Sequence, residues 1–499
     1  MASTAQEVLE QVLEEGGFVQ RGIKSSGLID ESNVKNAATT DLRYGHLFNE
    51  KEGPVVDLIY EVPSQVGGND IPGTPAIYFK VLDNPTHETI TKLRSRVWNQ
   101  GRTPTLWIVT SRNVLIYDSY ARQQVGESDE IYLLERFILE EFKSIGDQLH
   151  ILNNDFHKKS FDTGEFWQSK YGKKIKQNQR IDRAMLNDLS KAEDLLLSSF
   201  KKRGFMAPTD VAHAILGRSI FTSYLADRGI LKSAFFEERY GYKSFKELLK
   251  DRNATYSFFW WLRETFNGNL FPFNKEEEKV NESDLDIVNA FLTGVDMSKY
   301  PHIRQERLWG YEFNFIPVEL ISSIYEMFAH SSDSQAAEER STHYTRLQLV
   351  ELVLSIAMDG LRSTTRILDP ACGSGIFLVE AFKRLVWMRE NEHGSDYVIQ
   401  RDELRHILHS QIFGIDIDRG AVDVTAFSLY LTLLELDPDP QPPAALKFLP
   451  LLPSDDIPYE APNLYVQDFC NTEHIFNQEE PFVNQGFDLI VGNPLDRFK

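Results

Sequence analysis

The sequence predicts an α/β chain. A parallel, doubly wound sheet lies in residues 331–499, after an α+β zone at 1–150 and a helical zone at 151–330. Three observations lead there. Beyond residue 341 short apolar runs alternate with amphipathic segments, the pattern of parallel strands joined by right-handed helical crossovers. Before residue 150 the apolar runs are β-branched and aromatic and are bounded by Gly, Pro, Asn or Asp. Between them apolar residues recur at three-to-four spacing. A length of 499 residues suits about three domains. With 42% hydrophobic and 25% charged residues, the chain can fill globular cores.

The opening MASTAQEVLEQVLEEGGF reads as an acidic amphipathic helix without the basic start or apolar run of an export signal. Strands are expected at 55–62, 75–82, 105–111 and 114–120, with a helix at 88–100 and a loop at 64–75. The middle zone carries helices at 184–205, 210–231 and 317–330, a solvated charged loop at 274–285 and an acidic, Ser-rich connector at 331–340. In the last zone strands at 364–370, 411–418, 463–468 and 487–494 alternate with helices at 375–390, 397–410 and 421–436. The run DPDPQPP (437–443) breaks the last of these helices.

Fifty-three Lys and Arg against 74 Asp and Glu give a net charge of −21. That balance argues against a protein coating nucleic acid by bulk positive charge, and leaves room for an acidic enzyme with one local basic groove. Two cysteines, Cys372 and Cys470, make no disulfide framework, and with twelve scattered histidines no metal cluster is expected. The cysteine usage fits a reducing cytoplasm. No apolar run reaches the roughly 18 residues of a spanning helix, so no membrane partner is expected.

The densest constellation is Asp369-Pro370-Ala371-Cys372-Gly373-Ser374-Gly375, between a buried strand and a helix. Glycines let the backbone turn sharply and let a ligand approach without a Cβ in the way. Such turns sit at the carboxyl edge of a parallel sheet, where ligands bind. A dinucleotide fingerprint needs a third glycine and a phosphate loop needs Gly-Lys-Ser/Thr; both are absent. Asp369 would repel a pyrophosphate and favour a cationic amino-acid group. Asp416 closes the next strand, where a carboxylate can hold both hydroxyls of a ribose. A plain connecting turn is the alternative.

At these residues the sequence resembles a known family. ILDPACGSGIFLVEAF is similar to motif I of the S-adenosylmethionine (SAM)-dependent N6-adenine DNA methyltransferases, including the modification part of type I and type IIG restriction–modification enzymes. THYTRLQLVELVL (342–354) resembles motif X, GIDID (414–418) motif II, LYVQDF (464–469) motif III and DLIVGNP (488–494) the strand entering motif IV. The resemblance covers roughly residues 311–494, in order. It implies a Rossmann-like sheet with S-adenosyl-L-methionine as cofactor and double-stranded DNA as partner, alongside a specificity or recognition polypeptide. It places Asp369, Cys372, Gly373 and Gly375 along the cofactor, Asp416 at its ribose, Thr345 near its methionine portion and Asp468 near the adenine.

In the family, Asn-Pro-Pro-aromatic accepts the two hydrogens of an exocyclic amine, and the aromatic ring stacks on a flipped base. Asn493 and Pro494 match and are the expected catalytic pair. Leu495 replaces Pro and Asp496 replaces the aromatic residue. The resemblance implies further strands and a target-recognition region, so the chain reads as an incomplete sheet truncated just after motif IV. Residues 487–494 are then expected to form an unpaired apolar edge. The reading is an adenine-specific DNA methyltransferase impaired by truncation. A non-catalytic SAM-binding or assembly remnant is the alternative, and methylation of a planar amide in a protein is a third.

Two further features stay open. Asp57 and Tyr78-Phe79-Lys80 resemble the Asp…Glu-x-Lys nuclease arrangement with one metal ligand missing, or are a strand cap and a lysine reaching solvent. The run KYGKKIKQNQR (170–180) is basic with no acid; Lys170, Lys173, Lys174, Lys176 and Arg180 meet phosphates or form a solvated helix start.

Overall fold

The structure is a computed structural model. It describes residues 4–34, 38–48, 55–66, 69–138, 152, 154–265, 273–304, 307–321, 324, 345, 347–394, 397–437, 463–471 and 486–493. The chain divides into two compact units, Met1–Asn187 with Gln305–Phe315, and Asp188–Arg304 with Ile316–Lys499. The helical zone read at 151–330 is thus shared between both units.

The first unit is built on a six-stranded sheet, β1 (Leu28–Ile29), β2 (Leu58–Val66), β3 (Asn69–Val81), β4 (Thr105–Val109), β5 (Asn113–Asp118) and β6 (Leu133–Ile138), paired in that order. β3 and β4 are parallel and the other neighbours antiparallel. Helix α1 (Ala5–Glu15) starts at Thr4 with a capping box to Glu7, and its buried Val8, Leu9, Val12 and Leu13 cover one sheet face. That face carries Tyr60, Phe79 and Trp107. The other carries Ile59, Tyr78, Leu106 and Ile108 under α2 (Ala38–Phe48) and α3 (His87–Gln100). Period-two alternation thus buries every residue of β4.

Two expectations change here, and one strand is added. Within the loop read at 64–75, residues 64–66 and 69–75 are instead strand: Ser64 pairs with Ile71 and Val66 with Asn69, with register shifts that absorb Pro63 and Gly73. The strand β6 had no sequence signal beyond a mixed LLERFI. Lys80 does not reach solvent: its ammonium lies 3.1 Å from Asp57, whose carboxylate also accepts the Val81 N–H at 2.6 Å. Asp57 therefore caps the edge of this strand pair.

In the second unit α4 (Ile181–Lys202), which belongs to it from Asp188 on, α5 (Pro208–Asp227), α6 (Arg252–Thr265) and α7 (Glu282–Leu292) form the helical part. α5 is buried on nearly all sides, and its Arg218 makes a bidentate pair with Glu277 at 2.7 and 2.9 Å. Residues 274–285 are consequently not a solvated loop: Glu277 is 2% exposed and Asp284 1%.

The rest of the unit is the parallel sheet β7 (Ile367–Asp369), β8 (Ile412–Asp416), β9 (Leu464–Val466) and β10 (Leu489–Ile490), ordered β9-β8-β7-β10. All three pairings are parallel. Helices α8 (Leu347–Ala357), α9 (Ile376–His393), α10 (Arg401–Gln411) and α11 (Arg419–Leu436) lie before and between these strands. Strand addition runs outward through β8 and β9, then reverses to place β10 on the far side of β7. Such a switch point leaves a crevice at the carboxyl edge. Among the described residues β10 pairs only with β7, and Ile490 is 59% exposed. Most of the helix read at 317–330 and the whole connector 331–340 lie outside the described residues. No helix among the described residues is long and apolar enough to cross a membrane.

Candidate functional site

β7 is three fully buried residues, and Pro370 stops it. The chain then turns through Gly373 (φ 53°) and Gly375 (φ 81°), both left-handed, and Gly375 caps the N-terminus of α9. Left-handed backbone costs a residue with a Cβ about 1–2 kcal/mol. At Gly375 a Cβ would also sit 2.8 Å from Thr425 Cγ2 on α11. Thr425 Oγ1 in turn donates to the Gly373 carbonyl at 2.7 Å, so α11 clamps the turn.

The next strand fixes the turn from the other side. The Cys372 N–H donates to the Ile415 carbonyl at 3.0 Å. Asp416 accepts the Gly373 N–H on Oδ2 at 2.9 Å and the Asp418 N–H on Oδ1 at 2.9 Å. Each oxygen has one lone pair left for a ligand. The Gln467 N–H donates to the Asp416 carbonyl at 2.8 Å, which ties the end of β9 to the same point. Asp468 follows, its Oδ1 accepting from the Cys470 N–H at 3.0 Å.

Asp369 is 1% exposed and accepts the Ala371 N–H at 3.1 Å. Burial pushes its carboxyl up to about 7, and the nearby charge of Asp416 adds to the rise. No ion pair relieves it among the described residues. A buried carboxylate without a cation is costly, and a bound ammonium would offset that cost. The buried Cys372 thiol is also held well above its usual range, chiefly by burial, so it is inert lining.

β10 supplies the last piece. Its Val491 N–H donates to the Leu368 carbonyl at 2.9 Å, which brings Gly492 against Asp369. A Cβ at Gly492 would overlap Asp369 Oδ1. Asn493 is exposed, and its Nδ2 donates to Thr345 Oγ1 at 3.3 Å.

The Gly373 N–H therefore joins Asp416 directly, the Cys372 carbonyl accepts the Gly375 N–H at 2.8 Å, and Asp369 meets the same turn through the Ala371 N–H. Thr345 and Asn493 form a second pair at the end of β10, and Asp468 sits beside the end of β8. Pro494, Leu495 and Asp496 lie outside the described residues. The sequence reading missed Gly492, whose role is visible only once β10 lies beside β7. It also missed Ile417, 61% exposed, and Phe469, 37% exposed, apolar side chains that follow the strand-end acids Asp416 and Asp468. An apolar residue directly after a strand-closing Asp was the available signal.

The chain is similar in sequence to known proteins. Residues 353–495 match the family model described as MmeI, DNA-methyltransferase domain. The type II restriction enzyme and methyltransferase RM.Eco57I of Escherichia coli is 24% identical over 431 residues, 76% of this chain and 40% of that protein. The putative type II restriction enzyme and methyltransferase RM.MjaORFECS2P of Methanocaldococcus jannaschii is 34% identical over 108 residues, 21% of this chain and 8% of that one. A crystal structure of the type IIG restriction endonuclease BpuSI covers 99% of this chain and 45% of its own, at 12% identity and a TM-score of 0.30. The chain thus spans less than half the length of these relatives. The segment that builds the turn, the Asp416 strand end and Asn493 is similar to the DNA-methyltransferase domain of type II restriction–modification enzymes.

Proposed function

We propose that this chain carries the methyl-transferring part of a site-specific, adenine-specific DNA methyltransferase of a type IIG restriction–modification system, with S-adenosyl-L-methionine as donor. The observation that supports it most is the contact between the Gly373 N–H and Asp416, because it unites the glycine turn with a ribose-binding acid at a sheet switch point.

The residues present fit the donor. Asp369, buried and without an ion pair among the described residues, suits its ammonium. Asp416 has spare lone pairs for the two ribose hydroxyls. Ile417 and Phe469 offer apolar faces for its adenine, beside Asp468 as a hydrogen-bond acceptor. Gly373 leaves room for its backbone-hugging approach while Gly375 lets Thr425 pack behind the turn, with Cys372 as apolar lining, and Thr345 belongs to its methionine end. Bound there, the donor supplies an electrophilic methyl on a sulfonium.

The rest of the chemistry falls to Asn493 and Pro494. The lone pair of the exocyclic adenine amine is delocalised into the ring. Because Asn493 Nδ2 is held by Thr345, its Oδ1 is the atom left to accept an amino hydrogen. The Pro494 carbonyl accepts the other. Together they raise electron density on nitrogen and aim it. The departing proton leaves from the more acidic methylated amine to water.

The reading carries duplex DNA as substrate, a recognition polypeptide as partner and a cytoplasmic setting, with residues 331–499 as the catalytic part, 151–330 as helical connector and 1–150 as an α+β domain. A second reading, a SAM-binding module without transfer, is favoured by Asp496, which offers no stacking face where the family has an aromatic ring. Calorimetry with S-adenosyl-L-methionine and labelled-methyl transfer to duplex DNA decide. Donor binding with transfer to adenine that Asn493→Ala abolishes supports the first reading. Donor binding without transfer supports the second. No donor binding removes both.

A further inference from the structure

We infer that residues 157–176 of the first unit form a surface that holds the phosphate backbone of duplex DNA. Residues 156–180 contain seven Lys or Arg and two acids, in a chain with a net charge of −21. Such local inversion of charge is the electrostatic footprint of a polyanion site.

The structure sorts these cations. Arg180 is paired with Asp182, and Lys158 with Asp162. The Lys176 backbone N–H donates to Asp118 at 2.9 Å while its ammonium lies 5.0 Å above the Tyr132 ring. Those three are structural, so the basic run read at 170–180 shortens at its far end. Lys170, Lys173 and Lys174 are exposed and make no ion pair among the described residues. Lys170 stands 4.7 Å from the Tyr171 ring centre and Lys174 5.9 Å.

The backbone beneath them is anchored. Phe161, Phe166, Tyr171 and Ile175 are buried in the core of the unit. Gly172 packs directly on the neighbouring turn, where a Cβ would lie 2.7 Å from Trp167 Cα. Trp167, 39% exposed, therefore borders the lysines and offers a flat face to a sugar. The two acids in the strip are exposed: Glu165, and Asp162, which is paired with Lys158. A row of exposed ammonium groups without ion pairs among the described residues, on an anchored backbone, suits a stiff, evenly charged rod. A membrane would instead favour an amphipathic helix with a broad apolar face, which these short turns do not provide. The choice of DNA rests on the methyltransferase reading above.

The test uses the full chain and a duplex of arbitrary sequence, with fluorescence anisotropy from about 50 to 200 mM salt. The variant is Lys170→Gln/Lys173→Gln/Lys174→Gln, and the charge-matched control is Lys201→Gln/Lys202→Gln/Lys232→Gln. Loss of three phosphate contacts lowers the salt slope by two to three and weakens binding roughly 10- to 100-fold near 0.15 M salt. An unchanged slope, an equal effect in the control, or a loss confined to anionic vesicles or an acidic polypeptide overturns the inference. Donor calorimetry on the same samples separates the two claims: failure to bind donor removes the proposed function, whereas a patch-dependent DNA slope stands by itself.

Discussion

Two alanine substitutions in one turn distinguish backbone strain from crowding. Gly373→Ala and Gly375→Ala both place a Cβ on left-handed backbone, which costs about 1–2 kcal/mol each. At position 373 nothing lies within 4 Å of the new methyl group. At 375 it meets Thr425 Cγ2 at 2.8 Å, Oγ1 at 2.9 Å and Cα at 3.1 Å. Overpacking of that kind adds about 1–3 kcal/mol, so Gly375→Ala should lose about 2–5 kcal/mol in total. Urea unfolding measures both, and calorimetry with the methyl donor reports whether the turn survives. Thr425→Ala in the Gly375→Ala background removes two of the three close contacts and forfeits the bond to the Gly373 carbonyl. A favourable coupling of about 1 kcal/mol is expected from that cycle. Equal losses for the two alanine variants, or no coupling, would refute the clamp between α11 and the turn.

Three more outcomes are expected. Asp369, raised to about 7 by burial, holds its proton more tightly folded than unfolded, so its own contribution to stability is full at low pH and is lost as pH rises from about 4 to 7, by on the order of 4 kcal/mol. Asp369→Asn should flatten that pH profile, and wild-type donor affinity should climb up to about tenfold per unit until pH 7 and level off above, because the carboxylate must ionise to meet a cation; a flat affinity profile in calorimetry contradicts it. Asp416→Ala should abolish donor heat while costing only about 1–3 kcal/mol in urea unfolding, the loss expected when the Gly373 N–H loses its acceptor. Glu277→Ala should destabilise by about 3–5 kcal/mol because it strands the buried Arg218 guanidinium, whereas replacing both partners with apolar residues should recover most of that.

The strands that end in Asp369 and Asp416 were legible because a short buried run, an acid and a glycine or turn follow in unbroken sequence. The crossover helices were legible for the same reason: their periodicity is local. What local pattern cannot carry is adjacency. Gly492 looks like any strand-end glycine until β10 lies beside β7 and Asp369 fills the space a Cβ would need. The bond from Asn493 to Thr345 joins residues 148 positions apart. Residues 274–285 read as solvated because Glu277 and Asp284 are charged, and only the guanidinium of Arg218 on another helix explains why one of them is buried. The hairpin of β2 and β3 was hidden by Pro63, Pro72 and Gly73, which ordinarily end strands and here coincide with shifts in register.

The reversal of strand order around β7 has a consequence for assembly of the crevice. Its walls come from segments that the ribosome delivers more than a hundred residues apart, so neither half can recognise anything by itself. Closing a loop of that length costs about 2 kcal/mol more entropy than closing one of ten residues. A small molecule that touches both walls therefore binds only the finished sheet, and its presence would slow local opening there as well as mark its completion.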